Sequence, residues 1–239
     1  METNIDGIEE ARRTYRIRHE SRRREVEVLR IDQISPGFRS VTFGGEALAD
    51  FRSDAFDDHV KLILHDENGD EVKRDFTPRR HHAESRQLTI EFSMHGDGFA
   101  SNWAASARMG QRAIIAGPRS SVIVPPEYDW YLLIGDDTAL PAISRRLEEL
   151  PHDAIAMVIV EMESRADRRQ FRSRALYNVT WTSSGEELLA AVKALNLPSG
   201  RGYAWCAAES AISAAAYDVL VNEKGHDRES LRASSYWRR

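Results

Sequence analysis

Apolar and polar residues alternate in short runs through residues 25–124, as in Glu25–Ile31 and Glu71–Phe76. Alternation with a period of two is typical of strands that bury one face. The segment Glu67-Asn68-Gly69-Asp70 separates two of these runs and has the composition of a hairpin turn. Several short strands at close spacing predict a small antiparallel β-barrel. The predicted strands are 25–31, 38–43, 59–65, 71–76, 87–93 and 112–117.

The pattern changes after Val124-Pro125-Pro126-Glu127, which we take as a domain boundary. Continuous apolar strands then alternate with amphipathic helices, an order that predicts a parallel sheet covered by helices. We expect Asp137 or Thr138 to cap the first helix and Ser184 to cap the second. Ligands of such sheets bind beyond the carboxyl ends of the strands. The predicted strands are 130–134, 154–160, 177–182 and 202–207, and the predicted helices are 140–150, 184–195 and 210–222.

Composition excludes several classes of protein. The 239 residues, 41% of them hydrophobic, suffice for one large or two ordinary domains and contain no apolar run of transmembrane length. The polar N-terminus lacks an apolar signal-peptide centre, so we expect a cytoplasmic protein. A net charge of −5 argues against nucleic acid as a partner. The single cysteine, Cys206, cannot supply a four-thiolate iron–sulfur cluster, and we expect it to be a buried apolar residue.

Positive charge is concentrated near the start of the chain. Residues 11–24 contain seven arginines and one acid, Glu20. We interpret residues 1–24 as a basic N-terminal arm, which is either solvated or a docking site for an anionic partner.

The segment Arg74–Arg79 contains the residue types that an anionic flavin requires. Arg74 offers a cation, Phe76 a flat apolar surface and Thr77 a hydroxyl group. Alternate residues of a strand share a face, so Arg74 and Phe76 are expected to point the same way. A surface arginine and a core phenylalanine at the end of an ordinary hairpin would have the same sequence.

This segment resembles the Arg-x-Tyr-Thr-x-Arg motif of the siderophore-interacting protein family, which are FAD-dependent, NAD(P)H-using ferric-siderophore reductases. Gly135–Ala142 is similar to the family's Gly-Asp-Glu-Thr-Ala-Leu-Pro-Ala, with Asp137 in place of glutamate. The resemblance implies a two-domain ferredoxin-reductase-like fold. Residues 25–124 would form an FAD-binding antiparallel β-barrel, and residues 130–239 an NAD(P)H-binding α/β domain with a parallel sheet. Further similar segments are His95–Trp103, Gly117–Ser121, Trp205–Glu209 and Tyr236–Arg238.

The resemblance also implies the residues that bind cofactors and substrate. The implied cofactor-binding residues are Arg74, Asp75, Phe76, Thr77, His95, Gly98, Ala100, Ser101, Trp103, Ser121, Asp136, Thr138, Ala139, Glu209 and Trp237. The implied basic residues around an anionic ferric siderophore are His59, Lys61, Arg79 and Arg238. The sequence departs from the family pattern at Phe76, Phe99, Ser120 and Ala208.

The implied reaction passes a hydride from NADPH or NADH to FAD, which gives electrons singly to Fe(III), and the iron leaves the siderophore as Fe(II). This transfer requires no general acid or base, so we expect no catalytic side chain and no metal site. An acid suits the ribose 2′-hydroxyl of NADH and an arginine the 2′-phosphate of NADPH. The segment after the second strand of the parallel sheet offers both, namely Glu161, Arg165, Arg168 and Arg169, and we favour NADPH.

Two other functions fit the same residues. One is a flavoprotein that passes electrons to a protein partner through the basic arm, and a ferredoxin-like protein is also considered as an electron donor. The other is a non-catalytic siderophore-binding module that has lost its flavin, which the four departures favour. We expect the protein to be a monomer.

Overall fold

Antiparallel strands dominate the described residues that precede Val124. The structure is a computed structural model that describes residues 14–94 and 98–238, and the chain divides into a first unit, Arg16–Ile123, and a second unit that contains Val124–Arg239. The strands of the first part are β1 (Tyr15–Arg18), β2 (Arg23–Ser35), β3 (Phe38–Gly44), β4 (Val60–His65), β5 (Glu71–Phe76), β6 (Arg80–His82), β7 (Gln87–Ser93), β8 (Arg112–Ala116) and β9 (Ser120–Ile123). Seven of them form one antiparallel sheet in the order β5-β4-β8-β2-β3-β7-β6, and β1 pairs with β9.

The seven-stranded sheet curls on itself. The rings of Phe76 on β5 and Phe92 on β7 lie 4.6 Å apart, centroid to centroid, although five strand spacings separate the two strands in the sheet. In a flat sheet, five spacings of about 4.8 Å would place these strands about 24 Å apart. Irregular pairing of β2 with β3, near Val28 and Gln33, bends the long strand. The curled antiparallel architecture confirms the predicted fold class of this region.

One apolar cluster fills the inside of the curled sheet. It collects the alternate buried side chains of β2, β3, β4, β7 and β8. A helix, α1 (Phe99–Ser106), packs against the same cluster through Ala104 and Trp103. The ring of Trp103 lies 6.1 Å from that of Phe43 and 5.8 Å from that of Phe92. This packing fixes the position of the first turn of α1 relative to the sheet.

Five parallel strands form the centre of the second unit. Their order is β12-β11-β10-β13-β14, so the chain moves outward from β10 to β12 and then returns to add β13 and β14 on the other side. The direction of progress therefore reverses between β10 and β13, which makes this pair the topological switch point of the sheet. The strands are β10 (Trp130–Gly135), β11 (Ile155–Glu161), β12 (Leu176–Thr182), β13 (Gly202–Glu209) and β14 (Leu231–Trp237). The helices are α2 (Leu140–Glu149), α3 (Gly185–Ala194) and α4 (Ser210–Asp218), which continues as a π-helical segment, Val219–Glu223.

The helix caps differ from the prediction at one of two places. Ser184 caps α3 as predicted, since its hydroxyl accepts a hydrogen bond from the Glu187 amide at 3.2 Å. The predicted caps of the preceding helix, Asp137 and Thr138, are wrong. A short 3₁₀ turn comes before α2, and its cap is Asp136, whose Oδ1 accepts from the Thr138 amide at 3.0 Å.

The basic segment before residue 25 is also different from the predicted arm where the structure describes it. β1 pairs with β9, and β2 already begins at Arg23. Arg24 is buried, with its guanidinium 3.2 Å from an Asp50 carboxylate oxygen and donating to the Gly117 carbonyl at 3.2 Å. These contacts neutralise charge that the sequence pattern assigned to solvent. Residues 1–13 lie outside the described residues.

Four strands were not predicted, namely β1, β6, β9 and β14. In β14, four residues separate the apolar ends Leu231 and Tyr236-Trp237, and all four are polar or small, so the hydrophobic pattern is weak. No helix among the described residues has the length and apolar character that a membrane span requires.

Candidate functional site

The carboxyl edge of the parallel sheet brings together three predicted segments. Asp136 follows β10, Glu209 ends β13 and Trp237 ends β14. The register pairs Gly135 with Ala207 and Glu209 with Trp237, so the three strand ends lie side by side. Because β10 and β13 flank the switch point, this edge contains the crevice in which such sheets bind nucleotides.

Gly135 is required by the close packing at this crevice. A Cβ atom at this position would lie 2.3 Å from the Cβ of Ala139 and 2.7 Å from the carbonyl oxygen of Ala207. No side chain fits, so the backbone itself lines the edge between the two strands. Ala139 is buried at this contact, which gives it a packing role.

Asp136 holds the strand ends together and has little capacity left for a cofactor. Its Oδ1 accepts hydrogen bonds from the amide and the hydroxyl of Thr138. Its Oδ2 accepts from the Glu209 amide at 3.0 Å and from the Trp237 indole Nε1 at 2.8 Å. A carboxylate offers about four lone-pair sites, and four donors occupy them. The predicted direct contacts of Asp136 and of the Thr138 hydroxyl with a cofactor are therefore replaced by contacts within the protein.

Burial dominates the electrostatics of Asp136. It raises the pKa of this carboxyl group above the ordinary value, an effect that the neighbouring Asp137 reinforces. The hydrogen bonds from Thr138 and Trp237 act in the opposite direction, because they stabilise the ionised form. The four donors thus offset part of the cost of a buried negative charge.

The other predicted residues at this edge have mixed environments. The Glu209 side chain caps α4, with its carboxylate accepting from the Ala211 amide at 2.7 Å. Trp237 is 39% exposed, and Arg238 beside it is exposed. These two are the predicted residues of the second unit whose side chains are most accessible to a ligand.

A basic and aromatic group lies farther along the same edge, beyond β11 and β12. The guanidinium of Arg168 lies 5.9 Å from the centre of the Trp181 ring, and Trp181 stacks on Phe171 with ring centroids 6.0 Å apart. Nearby, hydrogen bonds from the amide and hydroxyl of Ser183 lower the pKa of Glu187. Sequence reasoning placed Trp181 in a strand but missed it as a site residue. Its position at the carboxyl end of a strand of the parallel sheet was the available signal.

In the first unit, two residues of the predicted flavin motif, Arg74 and Phe76, share a face of β5 as predicted. Arg74 and Phe76 lie on the same face of β5, since Arg74 pairs with Leu62 and Phe76 with Val60, both of them core residues. Arg74 is exposed, and its guanidinium donates to the Lys73 carbonyl at 2.9 Å. Phe76 is partly exposed and packs on Phe92. A cation and a flat ring are therefore both available to a ligand.

Two predicted partners of this motif lie on the opposite face of the sheet. Asp75 and Lys61 are paired across β4 and β5, with the Lys61 ammonium 2.9 Å from both carboxylate oxygens of Asp75. The alternation of the strands directs this ion pair away from Arg74 and Phe76. Lys61 and Asp75 therefore share a face that is opposite to that of Arg74 and Phe76, and their roles toward substrate and cofactor stay predictions. His59 precedes β4 and is exposed.

The predicted substrate residue Arg79 is buried. Its Nε lies 3.1 Å from a carboxylate oxygen of Glu91, and both side chains are 8% exposed. This guanidinium is paired with a buried carboxylate within the protein, and its role toward a siderophore stays a prediction. Thr77 is buried as well, immediately after β5 ends.

The helix α1 begins next to an exposed glycine. Gly98 occupies the N-cap position and has no side chain with which to cap the first turn. The Ser101 hydroxyl donates back to the Gly98 carbonyl at 2.8 Å, and Ala100 is buried. An exposed helix N-terminus favours the binding of a phosphate group, because its backbone amides donate hydrogen bonds and the helix dipole attracts negative charge. The predicted residue His95 lies outside the described residues.

Ser121 belongs to a buried hydrogen-bond network. Its hydroxyl donates to Asp58 Oδ2 at 2.7 Å and lies 2.8 Å from Nε2 of His19. Ser121 is fully buried, and its predicted cofactor contact stays a prediction. The neighbouring Ser120 begins β9, and the positive φ of this turn, 93°, belongs to Gly117. The serine at position 120 is therefore not strained.

The accessible groups fit the two cofactors by their chemistry. FAD combines a flat ring with a diphosphate, and the first unit offers an exposed arginine, a partly exposed ring and a helix N-terminus with an exposed glycine at its N-cap position. A nicotinamide dinucleotide binds at the switch point of such a sheet, and the exposed Trp237 lies at the strand ends there. Among the described residues, no group of three or more histidines, cysteines or acids is arranged to hold a metal ion.

Comparisons with known proteins connect both units to iron metabolism. A family model described as "Siderophore-interacting protein" matches residues 128–239, and one described as "Siderophore-interacting FAD-binding domain" matches residues 27–73 and 66–122. The chain is 31% identical to an NADPH-dependent ferric-chelate reductase of Escherichia coli (strain K12), over 93% of the chain and 95% of the relative. It is 28% identical to the ferric vibriobactin reductase ViuB of Vibrio cholerae, over 90% and 89% of the two chains.

Solved structures agree with these matches. A siderophore utilization protein from T. fusca superposes with a TM-score of 0.88 at 33% identity, covering 95% of this chain and 96% of that chain. The siderophore-interacting protein SipS from Aeromonas hydrophila gives a TM-score of 0.80 at 27% identity, covering 92% and 99%. A ferredoxin reductase in carbazole 1,9a-dioxygenase shares the fold, with a TM-score of 0.70 at 16% identity, covering 91% of this chain and 68% of that chain.

Proposed function

The chain belongs to the siderophore-interacting protein family, and from this premise we propose that it is an FAD-containing, NADPH-dependent ferric-siderophore reductase. The observation that carries the proposal is the extent of the match. Both units are covered, one by the FAD-binding family model and the other by the siderophore-interacting model, and a ferric-chelate reductase aligns across 93% of the chain. Electron transfer from NADPH to iron needs both halves.

The two units divide the binding tasks in this proposal. We assign FAD to the first unit, within residues 25–124, and NADPH to the second, within residues 130–239. Arg74 would neutralise the diphosphate, Phe76 would support the flat ring and the first turn of α1 at Gly98 would offer amide donors. When bound, FAD supplies the conversion of a two-electron hydride donor into single electrons for Fe(III).

The protein's own side chains bind, orient and exclude water, and none has to move a proton. Ferric siderophores hold iron through hard oxygen ligands, and Fe(II) is held less firmly by such ligands. Of the four predicted basic residues, His59 and Arg238 are exposed and keep their proposed role toward an anionic siderophore.

The test is a visible absorption spectrum of the purified protein with FAD under anaerobic conditions. Addition of NADPH should bleach the flavin bands, and a ferric siderophore should restore them while an Fe(II)-specific chelator captures the released iron. Omission of the siderophore is the matched control. Protein that does not retain FAD would contradict the proposal and favour a binding module that has lost its flavin.

An exposed basic strand favours a second electron-transfer partner. In β1, Tyr15 is 56% exposed and Arg16 and Arg18 are exposed. An acidic, ferredoxin-like donor would be steered to such a surface by its charge. Salt screens that attraction, so reduction of the flavin by this donor should slow as the salt concentration rises. Flavin reduction by reduced ferredoxin that does not depend on salt would contradict this route.

We also propose that the protein works as a cytoplasmic monomer. The single cysteine is buried, and burial raises the pKa of the Cys206 thiol to about 12, which makes a disulfide-based function implausible and suits a reducing compartment. Light scattering coupled to size exclusion should give the 27.1 kDa mass of one chain. A mass of twice that value would contradict the monomer.

A further inference from the structure

Asp136 connects three strand ends through a single buried carboxylate. Oδ1 binds the first turn that follows β10, through the amide and the hydroxyl of Thr138. Oδ2 binds the end of β13 through the Glu209 amide and the end of β14 through the Trp237 indole. The carboxylate is 4% exposed, so these donors replace water almost completely.

Two contacts fix the location of Trp237. Its backbone pairs with Glu209, at a shift of register that follows Ala208. Its indole Nε1 donates to Asp136 Oδ2 at 2.8 Å. The backbone contact sets where the residue lies, and the indole contact sets where its ring points. The ring nevertheless stays 39% exposed, which leaves a flat apolar surface at the crevice between β10 and β13.

A tryptophan that only anchored its strand would be expected to bury its ring. The ring of Trp205 on the neighbouring strand is fully buried and shows that the sheet can accommodate an indole in its core. Trp237 instead satisfies its polar atom inside the protein and presents its carbon surface outside. This is the arrangement by which an aromatic side chain serves as a platform for a planar ligand.

We propose that Asp136 is a positioning residue that holds the indole of Trp237 as one wall of the nicotinamide dinucleotide site at the switch point. The inference rests on the proposed function, because it takes the dinucleotide as the ligand of this crevice. It assigns to Asp136 a role through Trp237 in place of a direct contact with the cofactor. The four hydrogen bonds explain why an acid is used here, since a carboxylate accepts from all four donors and an amide cannot.

The first experiment observes the Asp136–Trp237 contact without any cofactor. The five tryptophans of the protein give five indole N–H signals after ¹⁵N labelling, and Trp237→Phe identifies the signal that belongs to Trp237. In Asp136→Asn this signal should move and exchange faster with water, because the amide lacks the negative charge and either of its orientations places the NH₂ group against two of the four donors. Asp137→Asn is the matched control, and it should leave the Trp237 signal in place.

The second experiment measures binding of NADP⁺ to the FAD-loaded protein by calorimetry. We expect Trp237→Phe and Asp136→Asn each to weaken NADP⁺ binding about tenfold, with FAD affinity unchanged. The double variant should bind NADP⁺ no more weakly than Asp136→Asn alone, since both changes act through the same ring. Because Trp237→Phe keeps a ring and lies at an exposed position, it tests the proposal even if Asp136→Asn unfolds.

The outcomes separate this inference from the proposed function. Losses that add in the double variant, or unchanged NADP⁺ affinity in both single variants, would overturn the positioning role and leave the reductase assignment intact. An unmoved Trp237 signal in Asp136→Asn would overturn it as well. Failure of the unaltered protein to bind either NADP⁺ or NAD⁺ would overturn both the positioning role and the reductase assignment. This outcome is distinguishable, because it is measured on the unaltered protein before any variant is compared.

Discussion

The predicted ligand residues of the two units differ in how many hydrogen bonds their side chains make to other groups of the protein. At the carboxyl edge of the second unit, Asp136 accepts four hydrogen bonds and Glu209 caps a helix. On β5 of the first unit, Arg74 is exposed and its hydrogen bond goes to the neighbouring carbonyl of Lys73. From this comparison we propose that the family motifs mix residues that touch the ligand with residues that shape the site, and that internal hydrogen bonding distinguishes them.

Substitution of Arg79 should give the largest effect. It tests whether Arg79 is one of the residues that shape the site through contacts within the protein. Arg79→Ala removes one partner of a buried ion pair from Glu91 and should lower the free energy of unfolding by about 3–5 kcal/mol. Urea denaturation measures the change. The paired replacement Arg79→Met with Glu91→Leu removes both charges and should recover most of the loss. An Arg79→Ala protein of normal stability with a reduced rate toward siderophore would instead support the substrate role.

Substitution of Arg74 tests whether this residue is one of those that touch the ligand. Arg74→Ala should weaken FAD binding by about 1.5–3 kcal/mol, roughly 10- to 150-fold, because a charge-assisted contact to phosphate is lost. The free energy of unfolding of the apoprotein should change by less than about 0.5 kcal/mol, since the side chain is exposed.

Lys73→Ala is the matched control for Arg74. It removes a neighbouring cation that lies on the other face of β5, next to Glu71. Fluorescence titration of flavin should show that only the Arg74 variant loses affinity. Equal losses in both variants would mean that overall charge, and not a specific contact, attracts FAD.

The basic and aromatic group around Arg168 allows a test of cofactor preference in the second unit. Arg168→Ala should reduce the preference for NADPH over NADH about tenfold, or roughly 1.4 kcal/mol, if this guanidinium meets the 2′-phosphate. Arg172→Ala, at an exposed position nearby in the chain, is the control. The ratio of kcat/KM for the two cofactors is the measurement, and an unchanged ratio would exclude Arg168 from the site.

The smallest effect concerns a surface pair in the first unit. Hydrogen bonds from Arg23 and then Lys73 lower the pKa of Glu71 to about 2. A carboxyl group with a lowered folded-state pKa adds stability above its unfolded value of 4.5, and this stability is lost as the pH falls toward 2. Glu71→Gln should therefore flatten the pH dependence of unfolding in this window. An identical slope in the variant would show that solvent screens the pair completely.

The architecture was predictable from the sequence because the hydrophobic period changes from two to that of helices near Val124. The predicted strands 71–76 and 87–93 have the bounds of β5 and β7. The pattern failed at β14, where small and polar residues occupy most positions of an outer strand. Such a strand is held by its pairing with β13, which no local pattern encodes.

The site was predictable only as a set of segments. Alternation along β4 and β5 suffices to place Lys61 and Asp75 opposite Arg74, yet which face is the inner one depends on how the sheet curls. The burial of Arg79 against Glu91 depends on a partner twelve residues away on another strand. The acceptor role of Asp136 depends on Glu209 and Trp237, which are remote in sequence. Contacts of this kind follow from tertiary structure and leave no periodic trace.

The hydrogen bond between Asp136 and Trp237 also sets an order of events during protein synthesis. The two residues are 101 positions apart in the chain, and β14 pairs with β13 only after both have left the ribosome. Domains that emerge earlier fold earlier, so the first unit can be complete while the second still lacks a side of its crevice. Nascent chains are therefore expected to acquire the capacity for flavin well before the capacity for the dinucleotide, and a chain released before residue 237 would hold one without the other.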